Sequence, residues 1–330
     1  MDDATTSSYF PQAGRKSSSD PAVQSMYWRC VAVFFATARL ACGPRQALRL
    51  YTDSYLHVTN SLPAVGALLQ ELGVETVVVP RQHVPPSGYY RSWNNQFYIL
   101  DILQRMSSET DDRRYLVLDS DCLCLRPLDE MFETIEHNGA LLYDTGELPG
   151  RDINGLTREQ LGCLFAEMSG KTPPTPPIYF GGEIVGITSG FLRRLYPLAE
   201  SAWQESLRRH STNQLKFNEE AHLLTYVYFL LGLTSDNASR YIKRLWTGIH
   251  FRNGQDDDRN LPIIHVPGEK RFGFLELYAA VANPESWFYH ETNRALWVAR
   301  IQKIMSIPRP TLRKLLCEFS TYAMARLTAK

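Results

Sequence analysis

Two aspartates, Asp119 and Asp121, lie one residue apart where an apolar run of the sequence ends. The run, residues 115–118, is continuous, as expected for a strand that is buried on both faces. Carboxylate oxygens are good ligands for Mg²⁺ or Mn²⁺, and such a cation can keep water and substrate phosphates as its other ligands. Burying two like charges costs free energy unless a cation or strong donors neutralise them. The pair therefore predicts a divalent cation site, although a strand-end turn with two solvated aspartates would also fit.

A histidine far downstream, His265, also ends a short apolar segment and is followed by a Pro-Gly turn. A neutral imidazole is a good third ligand for a metal. In the same turn Gly268 permits close approach of the backbone, and Lys270 offers a positive charge to a phosphate. Taken alone, a histidine beside a Pro-Gly turn is more often structural than a metal ligand.

The elements that must position these residues alternate between strand and helix patterns. Such alternation predicts an α/β fold with a mostly parallel sheet covered by helices on two sides, and ligands bind beyond the carboxyl ends of such strands. The predicted strands are residues 47–53, 74–79, 115–118, 178–188 and 263–264, and residues 30–35 predict a strand or another short buried element. The predicted helices are residues 62–72, 90–106, 191–208, 218–231 and a basic amphipathic helix at 308–330.

Length and composition indicate a globular chain with one large domain. The 330 residues predict a disordered, Ser-rich leader over 1–25, a main domain over 26–290 and a helical tail over 291–330. Because 35 acidic side chains balance 35 basic ones, no overall field favours nucleic acid. The six cysteines lack zinc-type spacing and predict reduced thiols. With no signal-type or membrane-spanning apolar run, which would need roughly 20 residues, a cytoplasmic location is predicted.

Two segments of the sequence resemble one protein family. Residues 114–132 resemble the central segment of GT-A glycosyltransferases, above all the glycogenin-like, retaining family eight, in which a strand runs into a metal-binding DxD motif. Residues 263–270 resemble the late motif of that family, in which a histidine completes the metal site and a glycine and a lysine meet a diphosphate. The resemblance implies a GT-A, Rossmann-like sheet flanked by helices, with a C-terminal helical extension. It also implies Mn²⁺ or Mg²⁺ bound by Asp119, Asp121 and His265.

The resemblance extends to residues that would contact the donor. The nucleoside or diphosphate contacts that it implies are Thr52, Asp53, Arg91, Asn95, Gln96, Ser120, Gly268 and either Lys270 or Arg271. The catalytic residues that it implies on the sugar side are Glu183, Glu219 and Glu220. An Asx-type turn would explain Asp53 without a ligand, and acidic residues at a helix N-terminus are favourable without any function.

The implied activity is the metal-dependent transfer of a sugar from a nucleoside diphosphate sugar, with UDP-sugar favoured, to an acceptor hydroxyl with retention. The implied acceptor is a glycan, a lipid-linked glycan or a protein, and the basic C-terminal helix admits peripheral contact with a membrane. A docked terminal helix is the simpler alternative for that segment. A nucleotidyltransferase on a similar sheet would need a Gly-rich phosphate loop, for which residues 42–44 are a poor match. A non-catalytic GT-A scaffold that binds a partner or membrane is the third possibility.

Overall fold

The fold is α/β, as predicted. A computed structural model describes residues 20–44, 46–53, 63–90, 96–312, 314–316 and 318–320. The strands are β1 (Leu48–Thr52), β2 (Val74–Val78), β3 (Arg114–Leu118), β4 (Cys122–Cys124), β5 (Ala140–Leu141), β6 (Ile184–Thr188), β7 (Ile242–Arg244) and β8 (Ile263–His265). The helices are α1 (Pro21–Cys42), α2 (Pro63–Glu71), α3 (Tyr98–Ser107), α4 (Asp129–Asn138), α5 (Arg158–Ser169), α6 (Ser189–Ser211), α7 (Glu220–Leu230), α8 (Gly273–Val281), α9 (Trp287–His290) and α10 (Arg294–Ile304). Short 3₁₀ turns span Asp256–Asn260 and Pro267–Glu269.

The chain divides into two compact units. The first unit comprises Val79–Leu118 and Asp129–Arg240, and the second comprises the described parts of Asp2–Val78, Asp119–Leu128 and Tyr241–Lys330. No described helix combines the length and the apolar composition that crossing a membrane requires. The predicted boundary between a main domain and a tail after residue 290 stays a prediction.

The first unit is built on the antiparallel sheet β3-β6-β5, with β6 in the middle. The sheet packs so tightly around β6 that a Cβ atom at Gly186 would lie 2.8 Å from the side chain of Leu141. The rings of Phe97 and Trp203 pack with their centroids 4.6 Å apart, which joins α3 to α6. Aromatic side chains of this size bury large apolar areas and so stabilise the unit.

The second unit contains a parallel pair, β1-β2, and the sheet β4-β8-β7. Strand β8 is antiparallel to β4 and parallel to β7. Buried side chains of β4, β8, α1 and α10 share one apolar core, to which Leu123, Ile264 and Trp297 belong. The two sheet strands that the metal prediction needs, β4 and β8, therefore lie side by side in the middle of a well-packed unit.

The strand predicted at residues 30–35 is wrong, because these residues lie inside α1. Asp20 begins the helix by accepting the Ala22 N–H at 2.7 Å, and Pro21 occupies the first turn, where its missing N–H costs nothing. The helix has apolar residues on two faces because it contributes to two separate cores. A helix that is apolar on most sides cannot be distinguished from a buried strand by its periodicity. The helix also includes residues 21–25 of the predicted leader, whose first 19 residues lie outside the described ones.

Strand direction also differs from the prediction of a mostly parallel sheet. Among the described strands, β3 pairs only with β6, in antiparallel fashion, and β6 is the more deeply buried of the two. A continuous apolar run indicates burial but not the direction of the neighbouring strand, which depends on the connections. The other predicted strands and helices are present, with α3 beginning at Tyr98 rather than at residue 90. Of the predicted C-terminal helix, residues 312, 314–316 and 318–320 are helical, and the remainder lies outside the described residues apart from the non-helical 308–311.

Candidate metal centre

The β4-β8 pairing brings the two predicted metal-binding segments together. Asp119 and Asp121 lie on a tight turn before β4, in which the Cys122 N–H donates to the Asp119 carbonyl at 3.0 Å. Cys122 is paired with His265 on β8, and the Val266 N–H donates to the Asp121 carbonyl at 3.1 Å. Backbone hydrogen bonds thus fix the position of His265, which lies 144 residues from Asp121 in the sequence.

The side chains of Asp119, Asp121 and His265 form a cluster of metal-ligating type. Each offers one ligand atom, and these atoms lie within 4.8 Å of one another. His265 Nε2 is 3.1 Å from Asp121 Oδ2 and 3.8 Å from Asp119 Oδ2. Asp121 and His265 are buried, whereas about a third of the Asp119 side chain is exposed, at 34%. Of the three side chains, Asp119 is therefore the one that reaches solvent.

Lys270 supplies positive charge to this cluster. Its Nζ lies 2.9 Å from Asp121 Oδ2 and 5.3 Å from the ring centroid of Tyr27 on α1. Burial acts to raise the pKa of Asp121, but the positive charge of Lys270 and the hydrogen bond with His265 hold that pKa well below its usual range. Asp121 therefore stays ionised, as a metal ligand must. Two carboxylates and an imidazole are donors of a type that fits a divalent metal cation.

Several solved structures are similar to the chain. Mouse xyloside xylosyltransferase 1 in its apo form has a TM-score of 0.46 and 15% identity, and the match covers 73% of this chain and 92% of that chain. The bifunctional glycosyltransferase WbbM in its apo form has a TM-score of 0.49 and 12% identity, and the match covers 83% of this chain and 50% of that chain. The galactosyltransferase LgtC in complex with donor and acceptor sugar analogs has a TM-score of 0.44 and 15% identity, and the match covers 88% of this chain and 94% of that chain. No protein-family model matches the chain, and no curated protein sequence matches it. Because these TM-scores are below 0.5 and the identities are 15% or less, the similarity assigns no function by itself.

The remaining predicted site residues of the second unit lie on turns and strand ends. Lys270 is buried at the cluster whereas Arg271 is exposed, and the phosphate contact of either residue stays a prediction. Gly268 packs closely, since a Cβ atom there would lie 3.3 Å from Thr247 Oγ1. Thr52 ends β1, Asp53 follows it, and Ser120 lies between the two aspartates. The nucleoside contacts of Thr52 and Asp53 stay predictions.

In the first unit, the predicted catalytic glutamates differ in their surroundings. Both carboxylate oxygens of Glu219 accept hydrogen bonds, one from Tyr179 Oη at 2.6 Å and the other from Asn154 Nδ2. Gly181 and Gly182 leave room for the other two carboxylates: a Cβ atom at Gly182 would lie 2.5 Å from Glu220 Oε1, and one at Gly181 would collide with Glu183. Gln96 Nε2 donates to the Asn218 carbonyl at 2.8 Å. Arg91 and Asn95 lie outside the described residues.

Lys216, near the start of α7, has a lowered pKa that should make the stability of the protein depend on pH. Its Nζ donates to Asn218 Oδ1 at 2.9 Å and lies 3.9 Å from the ring centroid of Tyr89, and burial lowers the pKa of Lys216 to about 8. In the unfolded chain this pKa is about 10.4. The unfolded state therefore holds the proton more tightly, so the free energy of unfolding should rise with pH between these values, by up to about 1.4 kcal/mol per pH unit.

Replacing Lys216 with methionine is expected to remove that rise. Urea unfolding between about pH 8 and pH 10 measures it. Lys171→Met, at an exposed lysine of the same unit, is the matched control and should keep the rise. A Lys216→Met variant whose stability follows pH as the parent does would show that the buried ammonium is not the cause.

Proposed function

We propose that the chain is a metal-dependent glycosyltransferase that moves a sugar from a nucleoside diphosphate sugar to an acceptor hydroxyl with retention at the anomeric carbon. The observation that carries this proposal is the cluster of Asp119, Asp121 and His265 with Lys270 beside Asp121. Two separate sequence segments meet there in the order that the resemblance implies. Membership of family eight and the GT-A fold are part of the proposal and have the same support.

In this proposal some residues of the cluster bind the metal and others bind the phosphates. Asp119, Asp121 and His265 would hold the cation, which when bound neutralises the charge that develops on the departing diphosphate. Lys270, which lies beside Asp121 at the cluster, would add a second positive charge to the diphosphate. Gly268 lets the backbone approach the phosphates closely.

For the sugar, the proposal keeps the glutamates of the first unit. Both oxygens of Glu219 are engaged by Tyr179 and Asn154, which suits a group that holds the start of α7 in place. The proposal keeps Glu220 and Glu183 for the sugar and gives Glu219 a supporting role. The proposed donor is a UDP-sugar, and the proposed acceptor is a glycan, a lipid-linked glycan or a protein.

A screen of nucleotide sugars with Mn²⁺ present or absent tests this function. We expect a thermal shift and release of nucleoside diphosphate that both depend on Mn²⁺, and loss of both after chelation. Release of sugar phosphate together with a mononucleotide would instead indicate a nucleotidyltransferase. Absence of any binding by calorimetry would indicate a non-catalytic scaffold. Nuclear magnetic resonance of the product checks the anomeric configuration, and inversion would contradict the resemblance to family eight.

A further inference from the structure

A buried ionic cluster includes Glu269, the residue between Gly268 and Lys270. It consists of Thr247, Glu269, Lys314 and Glu318, which are all buried members of the second unit, and we call it the Lys314 cluster. Two of its members, Lys314 and Glu318, come from the C-terminal segment, of which residues 312, 314–316 and 318–320 are helical. Charged groups are rarely buried in this way unless each is paired.

Lys314 has an acceptor for each of its three N–H bonds. Its Nζ donates to the Thr247 carbonyl at 3.0 Å, to Thr247 Oγ1 at 2.9 Å and to Glu269 Oε1. The carboxylate of Glu318 lies 3.5 Å from the same nitrogen and accepts the Ile249 N–H at 3.0 Å. An ammonium group with all three donors used is held in one orientation, and so are its partners.

Glu269 transmits this constraint to the turn. Its Oε1 accepts the Thr247 hydroxyl at 2.5 Å, and its Oε2 accepts the Gly273 N–H at 3.1 Å, where α8 begins. Its neighbours in the chain are Gly268 and Lys270, so fixing the Glu269 side chain fixes the backbone that bears both.

Thr247 forms a second link between the Lys314 cluster and the turn. Its hydroxyl, which contacts Lys314 and Glu269, is also the atom against which a side chain at position 268 would pack, at 3.3 Å. The Thr247 hydroxyl therefore contacts Lys314 and also limits the space at Gly268.

We propose that Lys314 is a positioning residue of the donor site, which holds the turn Pro267–Glu269 so that Gly268 and Lys270 meet the diphosphate. This inference rests on the proposed function. Lys314 is the cation that the described part of the chain places against both Glu269 and Glu318. Without it, the two carboxylates would stay buried beside each other and lose that balancing charge. The turn would then shift toward solvent or toward another cation, and Lys270 on the next position would move with it.

Lys314→Met tests the inference, because methionine keeps the length of the side chain and removes its charge. We expect the KM for a UDP-sugar and the Kd for UDP with Mn²⁺ to rise about tenfold, as is common when a group that orients the ligands of a metal site is lost. The kcat should fall as well, because Lys270 would move with the turn and stabilise the departing diphosphate less well. Amide hydrogen exchange should become faster at residues 266–272.

Three further variants separate positioning from loss of stability. Thr247→Val removes the hydroxyl that links Lys314 to Glu269 and should raise the same KM by a smaller factor, which also covers the case that Lys314→Met does not fold. Val298→Ala removes a methyl pair from the core of the same unit and should lower the Tm without changing the KM. Leu316→Ala changes an exposed side chain of the C-terminal segment, 62% accessible, and should change neither.

The inference and the proposed function can fail separately. If the parent protein neither binds UDP with Mn²⁺ nor turns over any nucleotide sugar, the proposed function fails. If the parent is active but the KM of both Lys314→Met and Thr247→Val stays within about twofold of it, or Val298→Ala raises the KM as much for the same loss of Tm, the positioning role is overturned.

Discussion

Replacing Asp121 with asparagine is expected to lower kcat/KM about 10³-fold, which corresponds to roughly 4 kcal/mol of transition-state stabilisation. Asp121 is the most deeply buried of the clustered ligands, at 3% exposure, and it contacts both His265 and Lys270. Asparagine keeps the shape of the side chain but supplies no negative charge. The variant should therefore lose the Mn²⁺ dependence of nucleotide release as well as turnover.

The asparagine variant will also be less stable, because Lys270 loses its buried carboxylate partner. Breaking one side of such a pair costs about 3–5 kcal/mol, so activity must be measured well below the Tm, with circular dichroism to verify the fold. Asp257→Asn, at an exposed aspartate of the same unit, serves as the matched control and should behave as the parent does. Unchanged turnover in a folded Asp121→Asn variant would exclude the metal-centred mechanism.

The meeting of Asp119, Asp121 and His265 could be predicted from sequence because all three lie at the ends of short apolar strands. A residue that comes immediately before or at the end of a short buried strand has its backbone position set by the sheet. The register Cys122 to His265 then decides which side chains meet. The sequence could not choose between Lys270 and Arg271, since that choice depends on the 3₁₀ turn Pro267–Glu269, which directs Lys270 inward and leaves Arg271 exposed.

Other features depend on packing that local patterns do not encode. The apolar residues of α1 satisfy two cores at once, so their pattern lost the helical period. At Gly181 and Gly182 the groups that approach the backbone closely include the carboxylates of Glu183 and Glu220. From the sequence alone, close approach of a ligand to these glycines could not be distinguished from close approach of a neighbouring side chain.

The Lys314 cluster was missed because basic residues of a terminal helix are usually solvated. Lys314 and Glu318 are four residues apart and both buried, while Leu312, Leu316 and Phe319 on the same segment are exposed. The usual arrangement of a polar outside and an apolar inside is reversed there. The i, i+4 spacing of Lys314 and Glu318 could have predicted an ion pair. The sequence did not show that this pair is buried beside Glu269.

Lys270→Met should change two affinities in opposite directions. In the absence of nucleotide, Lys270 competes with any metal for Asp121 Oδ2, from which its Nζ is 2.9 Å away. Removing that charge should make Mn²⁺ bind roughly tenfold more tightly to the nucleotide-free protein, because an opposite charge at this distance is worth a unit or more of pKa. Titration calorimetry with Mn²⁺ alone measures this gain.

The same variant should bind UDP in the presence of saturating Mn²⁺ about 10- to 100-fold more weakly, the loss expected for one charge-assisted hydrogen bond to phosphate. Arg271→Met removes the neighbouring charge from an exposed position and should alter each affinity by less than about threefold. If Lys270 only stabilised the fold, its loss would weaken both ligands together. If it only paired with Asp121, its loss would strengthen both. Opposite signs are therefore expected only when one ammonium group serves the aspartate in the free protein and the diphosphate in the complex.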